Sequence, residues 1–171
     1  SFQFVAPLPP DQITSYPSEG LPAAIDVRYA HNLRFERNVI QNAGASAVNF
    51  WVDVDDTTFV GNTLRNIAGS GLTIDLNLQG NPADLRIVSR NDIVQNNFVA
   101  GIGLDYYQSV GLQLTYTDSA ILEHNEVTNV RYSGISVGWG WADVANAAQG
   151  NIIRYNNVYN VVNLMSDGGG I

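Results

Sequence analysis

The sequence predicts an all-β solenoid: about five to six coils of three short strands each, stacked in parallel and lined at one corner by an asparagine ladder. Three observations carry this. A short motif, Asn-x-(Ile/Leu/Val)-x-(Asn/Gln), recurs five times along the chain. A second motif, a small residue followed by alternating apolar positions, accompanies it. Polar and apolar residues alternate with a period of two, and amphipathic helical stretches are nearly absent.

The first motif reads Asn38-x-Ile40-x-Asn42, Asn62-x-Leu64-x-Asn66, Asn91-x-Ile93-x-Gln95, Asn125-x-Val127-x-Asn129 and Asn156-x-Val158-x-Asn160. Its copies lie 24, 29, 34 and 31 residues apart. Each follows a short alternating run: Leu33-Arg34-Phe35, Thr58-Phe59-Val60, Leu85-Arg86-Ile87-Val88, Ile121-Leu122-Glu123 and Ile152-Ile153-Arg154. A tight bend in a strand stack leaves backbone groups that must be satisfied. Asparagine tolerates left-handed backbone geometry, and its amide both donates and accepts. Repeated at the strand spacing of ~4.8 Å, such amides can bond along the stack.

The second motif reads Ala24-Ile25-x-Val27, Ala47-Val48-x-Phe50, Gly71-Leu72-x-Ile74, Gly111-Leu112-x-Leu114 and Gly134-Ile135-x-Val137, and Gly170-Ile171 begins a sixth. The first apolar positions are 23, 24, 40, 23 and 36 residues apart. A base period near 23 is too long for one strand or helix and fits one coil of about three strands.

Composition narrows the partners. The chain has 171 residues, with 8 Arg, no Lys, 19 Asn and a net charge of −8. At 45% hydrophobic it can build a core, and at 14% charged it falls below the usual ~25%. An acidic, Lys-free surface neutralises neither a nucleic acid backbone nor an anionic membrane. Without cysteine there is no disulfide, thiolate nucleophile or Cys-based zinc site. No apolar run approaches the ~20 residues of a membrane helix. The expected organisation is a lead-in segment over 1–20 and a solenoid over 21–171. Because the chain starts at Ser1 and stops in mid-pattern at Gly170-Ile171, a piece of a longer solenoid or multidomain protein is expected.

The repeats resemble those of right-handed parallel β-helices in pectate-lyase-like proteins, over about residues 21–171. The resemblance implies that the strand carrying the second motif lies on the active-site cleft. If Ile25, Val48, Leu72, Leu112 and Ile135 point inward, one outward column is Asp26, Asn49, Thr73, Gln113 and Ser136. The next is Arg28, Trp51, Asp75, Thr115 and Gly138. Such a polar, amide-rich face suits sugar hydroxyls, although an ordinary solvated sheet face has the same composition. Extra length falls at 75–84, 96–109 and 139–150, where insertions can build walls around a functional face. These carry Asp105-Tyr106-Tyr107, Trp139-Gly140-Trp141 and Asp143.

Glycosidic cleavage needs two carboxylates flanking the bond. Asp167, directly before Gly168-Gly169-Gly170, has the most telling context, because glycines leave room for a ligand against the backbone. A solvated turn aspartate is the plain alternative. Glu123 and Glu126 flank His124 but fall on the asparagine corner, away from the cleft strand. Asp53-x-Asp55-Asp56 could bind Ca²⁺ through several oxygens, but it lacks the spacing and glycine of a recognised loop, and an acidic turn is the plainer reading. No metal site and no cofactor are expected.

A closer resemblance rests on Tyr132-Ser133-Gly134-Ile135-Ser136-Val137-Gly138-Trp139-Gly140-Trp141 and Asn163-Leu164-Met165-Ser166-Asp167-Gly168-Gly169-Gly170-Ile171. These strings, with Leu21-Pro22-Ala23-Ala24-Ile25 and Asn32-Leu33-Arg34-Phe35-Glu36-Arg37, resemble glycoside hydrolase family 141 and its β-helix relatives. The resemblance implies an α-fucosidase- or xylanase-type activity on plant or algal polysaccharide. It implies that Asp167 belongs to a catalytic carboxylate pair whose partner lies in a later coil, with Asp105 and Asp143 as fallbacks. Asp105 would sit two coils from Asp167, roughly 10 Å along the stack. Trp139, Trp141, Tyr132, Ser136, Gln113, Tyr107, Trp51 and Asp75 are the expected substrate contacts. Such a substrate places the protein in the periplasm, at the cell surface or outside the cell. A lyase or epimerase on the same scaffold, acting on uronates, is disfavoured by the missing lysines. A non-catalytic glycan-binding or structural β-helix is the third reading.

Overall fold

A computed structural model of the protein describes residues 21–75, 85–138 and 145–171, in which the chain winds through parallel sheets and forms no α-helix. The predicted lead-in over 1–20 lies outside these residues. Sheet A stacks β1 (Ala23–Val27), β5 (Ser46–Phe50), β9 (Leu72–Ile74), β12 (Leu112–Leu114) and β15 (Ile135–Val137). Sheet B stacks β3 (Arg34–Glu36), β7 (Thr58–Val60), β10 (Ile93–Gln95), β13 (Ile121–Glu123) and β16 (Ile152–Arg154). Sheet C stacks β4 (Val39–Ala43), β8 (Thr63–Ile67), β11 (Phe98–Ile102), β14 (Glu126–Val130) and β17 (Asn157–Tyr159). A short fourth ladder pairs β2 (Ala30–His31) with β6 (Val54–Asp55). Every pairing is parallel and joins a strand to its counterpart one coil away, which is a parallel β-helix.

Alternation explains the core. In sheet A the register aligns Ile25, Val48, Leu72, Leu112 and Ile135, the inward column expected from sequence. Sheets B and C contribute Phe35, Phe59, Val94, Leu122 and Ile153, and Ile40, Leu64, Val99, Val127 and Val158. In the first two coils Phe35 packs on Phe50 and Phe59 at ring separations of 5.6 and 5.8 Å. The rings fill the axis where one β-branched side chain per strand would leave space.

The asparagine motif divides two jobs between its two asparagines. The first forms the ladder: Asn62 donates its side-chain amide to Asn97 Oδ1 at 3.1 Å, Asn97 to Asn125 at 2.9 Å and Asn125 to Asn156 at 3.0 Å. The second takes left-handed backbone, with φ of 57°, 56°, 54° and 52° at Asn42, Asn66, Asn129 and Asn160. Gly101 fills that place in the third coil, at φ 67°.

The third copy corrects the sequence reading. Asn97, not Asn91, is the rung, and β10 (Ile93–Gln95), not Leu85–Val88, is the sheet B strand. Leu85–Ile87 is instead a 3₁₀ turn. Asn91 precedes the strand and takes a left-handed corner, φ 56°. The stretch Asn91–Val99 offers two frames of the motif's Asn-x-(Ile/Leu/Val), at Asn91 and at Asn97. Only the later one places an amide after the sheet B strand, where the coil below presents its orphan N–H.

Candidate functional site

Among the described residues, the predicted site residues lie at the two opposite ends of sheet A and, for Gln113 and Ser136, on its outward face. At the end where its strands begin, equal bends would need equal lengths, yet the chain alternates. Nine residues lead from Asn62 to Gly71 and from Asn125 to Gly134, but fourteen from Asn97 to Gly111 and from Asn156 to Gly170. These glycines are equivalent, since Leu72, Leu112 and Ile135 donate to the carbonyls of Gly111, Gly134 and Gly170. The two five-residue excesses carry Asp105-Tyr106-Tyr107 and Asp167. Both fold back onto the coil below in the same way. Asp105 and Tyr106 donate their N–H groups to the Ala68 carbonyl at 3.2 and 2.9 Å, and Leu164 and Met165 donate to Arg131 at 3.3 and 3.2 Å. The real insertion in the third coil is thus far shorter than 96–109, because 98–102 is regular strand β11.

Between the two loops lie Arg131 and Tyr132. The Arg131 guanidinium stands 5.8 Å from the centre of the Tyr107 ring, a cation–π contact that fixes both side chains. Tyr132 backs the glycine run: a Cβ added at Gly168 would meet its ring at 2.9 Å and the Ser133 hydroxyl at 3.0 Å. Ser133 Oγ also accepts the Gly169 N–H at 3.3 Å. Glycine is therefore required beside Asp167 by the close approach of a ring. Asp105, Tyr107 and Asp167 are exposed, Tyr132 and Ser136 half-buried. Two coils separate the loops, a rise of roughly 10 Å, just past the ~6.5–9.5 Å of an inverting carboxylate pair. Arg131 escaped the sequence reading because its string was read from Tyr132 onward. Its signal was its position on the one short corner between two long ones.

The outward columns follow the predicted register. Asp26 aligns with Asn49, Thr73, Gln113 and Ser136. The second column continues through Trp51, Thr115 and Gly138, whose N–H groups bond to Val27, Ile74 and Leu114. The face is not an open polar groove, however. Asn49 is 1% exposed, Thr73 2%, Asp75 2% and Gln113 8%, so polar side chains face no solvent over the second to fourth coils. Asn49 donates to the Leu21 carbonyl at 2.8 Å, so the chain enters β1 across this face. Along this column Asp26 in the first coil is exposed and Ser136 in the fifth is half-buried, so among the described residues the face opens at its two ends, the latter in the coil that carries Asp167.

The far end of sheet A holds Trp51 and Asp75; Trp139, Trp141 and Asp143 lie outside the described residues. Trp51 donates its indole N–H to Asp26 at 2.8 Å and carries the Arg28 guanidinium 4.5 Å over its ring. Asp75 is buried with one oxygen unpartnered, and burial pushes its pKa up to about 7. Beyond it, side chains stack up one corner. His31 Nδ1 lies 3.5 Å from Asp55, whose carboxylate accepts the Arg90 N–H at 2.8 Å. Arg90 Nε lies 3.6 Å from Asp118, which accepts from Gln149 at 3.2 Å. A cavity of about 240 Å³, lined by Arg90, Asp118, Gln149 and Asn146 among others, opens there. His31, Asp53 and Asp55 bring one donor atom each within 4.8 Å of one another, a set that suits a divalent cation. The sequence offered Asp53 and Asp55 for a cation but not His31, which belongs to the coil below.

No protein-family profile and no curated protein sequence matches this chain. Among solved structures, it is similar to one described as a glycoside hydrolase, with a TM-score of 0.70 and 28% sequence identity over 78% of this chain. The match spans 24% of that protein, so the chain corresponds to about a quarter of its length.

Proposed function

We propose that the chain forms part of a carbohydrate-active β-helix, a glycoside hydrolase acting on plant or algal cell-wall polysaccharide of fucoside or xylan type. The observation that carries this reading is the likeness to a solved glycoside hydrolase at 28% identity. The corner built by Asp105, Tyr107, Arg131, Tyr132 and Asp167 supports it. The strings around Asp167 support the finer assignment to a family-141-like enzyme. Asp167 acts as one carboxylate of the pair, presented to the sugar over the glycine run. Asp105 or an acidic residue of a further coil acts as the other. In an inverting reaction one carboxyl protonates the leaving oxygen while the other activates water on the opposite face of the sugar. Tyr107 and Tyr132 offer ring faces, and Arg131 offers donors to sugar oxygens. The resemblance implies Trp139 and Trp141 as further subsite walls and Asp143 as a second fallback carboxylate; all three lie outside the described residues. A polysaccharide substrate assigns the protein to the periplasm, cell surface or medium.

Asp167→Asn, assayed on aryl fucosides and on xylan, tests this reading. Loss of turnover with unchanged melting supports it, and undiminished turnover removes Asp167 from the mechanism. Arg131 at the same corner favours one second reading, a lyase in which a basic residue removes a uronate α-proton. Release of an ultraviolet-absorbing unsaturated sugar from polyuronate would establish it instead.

A further inference from the structure

Asp92 occupies a rung that elsewhere belongs to an amide. It follows the left-handed Asn91, and its Oδ1 accepts the N–H of Thr57, one coil below, at 2.9 Å. Two coils on, Asn151 has the same role. It accepts the Ala120 N–H at 2.9 Å and returns its own amide to the Thr117 carbonyl, also at 2.9 Å. Thr117 lies three residues before Ala120. The same offset holds along the main ladder, where Asn62, Asn97, Asn125 and Asn156 donate to the carbonyls of Phe35, Phe59, Val94 and Leu122. Each of those carbonyls is three residues before the rung beneath. Applied to Asp92, the offset aims its second oxygen at the Val54 carbonyl.

An ionised carboxylate would set acceptor against acceptor there. Asp92 is 1% exposed, and its Oδ2 has no hydrogen-bond partner. Asp55 and Asp56 of the coil below are the charged groups that act on it, and both are acidic. From the coil above, Ala120 stands at the equivalent place and brings no charge. The Thr57 hydroxyl, also buried, is the other polar group beside it, and its interaction with the carboxyl works against the upward shift.

We propose that Asp92 folds as the neutral acid, its carboxyl proton donated to the Val54 carbonyl in place of an asparagine amide. The corner between the second and third coils is then held by a bond that rising pH removes. Burial, reinforced by Asp55 and Asp56, pushes the Asp92 pKa up to about 8. A folded pKa above the unfolded value of about 3.9 means that the contribution is complete below the unfolded pKa. It is lost as pH rises through about 8.

The test follows melting midpoints of the wild-type chain, Asp92→Asn and Thr57→Val from about pH 5 to about pH 9.5. Asparagine supplies the same bond without a titrating proton. Asp92→Asn is expected to match or exceed the wild type at neutral pH, to lose the share of the fall toward alkaline pH that Asp92 contributes, which ends near pH 8, and to melt several degrees higher at the alkaline end. Thr57→Val is expected to keep the wild-type fall. At neutral pH the infrared carboxylic-acid carbonyl stretch of the wild type should weaken in Asp92→Asn. Parallel curves for wild type and Asp92→Asn, an Asp92→Asn chain that misfolds or melts lower at every pH, or an unchanged infrared band would each overturn the proposal. Loss of the alkaline fall in Thr57→Val would move the proton to the Thr57 hydroxyl and overturn the assignment to Val54.

Discussion

Asn97 Oδ1 accepts both the backbone N–H of Asn62, at 2.8 Å, and its side-chain amide, at 3.1 Å, while Asn97 Nδ2 donates to Phe59 at 2.9 Å. One side chain thus satisfies three groups of the coil below in a fully buried place. Asn97→Ala leaves a buried N–H and a buried carbonyl unpaired, each costing ~1–3 kcal/mol. The expected loss is about 2–5 kcal/mol in urea unfolding. Asn91→Ala, at an exposed corner, is expected to cost under about 1.5 kcal/mol. Equal losses in the two variants would contradict the observed register.

Gly101 sits at φ 67°, and a Cβ there would come within 3.2 Å of Asn66 Oδ1. Asparagine already occupies this column in four other coils. Gly101→Asn should therefore retain most of the stability, whereas Gly101→Val should lose at least about 2 kcal/mol, since β-branched residues resist left-handed backbone. Thermal melts of the pair check the ordering.

Gly168→Ala drives a methyl group into the Tyr132 ring, at 2.9 Å. The loop must shift, carrying Asp167 with it. Displacement of a reacting carboxylate by about 1 Å can cost up to about a hundredfold in rate. Gly168→Ala should lower kcat/KM far more than it lowers the melting midpoint. Full activity would show that Asp167 needs no fixed position.

Asp75 gives a pH dependence of known sign. Its folded pKa, pushed up to about 7 by burial, lies above the unfolded value of 3.8. Its contribution is whole below the lower value and is lost as pH rises through the upper one. The wild type should melt progressively lower from about pH 4 to about pH 7, with little further loss from this group above that. Asp75→Asn should make this slope shallower by the share of one proton, while the share of Asp92, which spans the same interval and continues to about pH 8, remains. A slope unchanged in Asp75→Asn between these limits would place the titration elsewhere.

The solenoid was legible because it rests on side-chain alternation, repeated at matched offsets. Val48 and Leu72 announce their inward column by spacing alone. The ladder was legible in four coils and misread in the third, where Asn91 and Asn97 compete and only hydrogen bonds to the neighbouring coil decide. Burial of Gln113 and Asp75 was not legible, because alternation fixes which way a side chain points and leaves open whether that face meets solvent. The cluster of His31 with Asp53 and Asp55 joins different coils, so no local spacing encodes it. Arg131 and the matched long corners around it emerge only after Asn97 has been placed, since the wrong rung hides the equal lengths.

The chain leaves sheet A after Ile74 and is on the stack again at Ile87, whose carbonyl accepts the Asp53 N–H at 2.9 Å, and at Ser89, whose hydroxyl accepts the Val54 N–H at 3.2 Å. From Phe50 to Val54 is four residues, while from Ile74 to the equivalent Ser89 is fifteen. Despite this difference β10 stands in unbroken register with β7. A detour at a corner is thus invisible to the coils on either side, as a screw thread keeps its pitch past a nick in its crest. Segments of other lengths and sequences can be grafted between Asp75 and Ile87, or at the loop bearing Asp105, without retuning the stack. Recognition surfaces can therefore diversify along this scaffold while its axial order stays fixed.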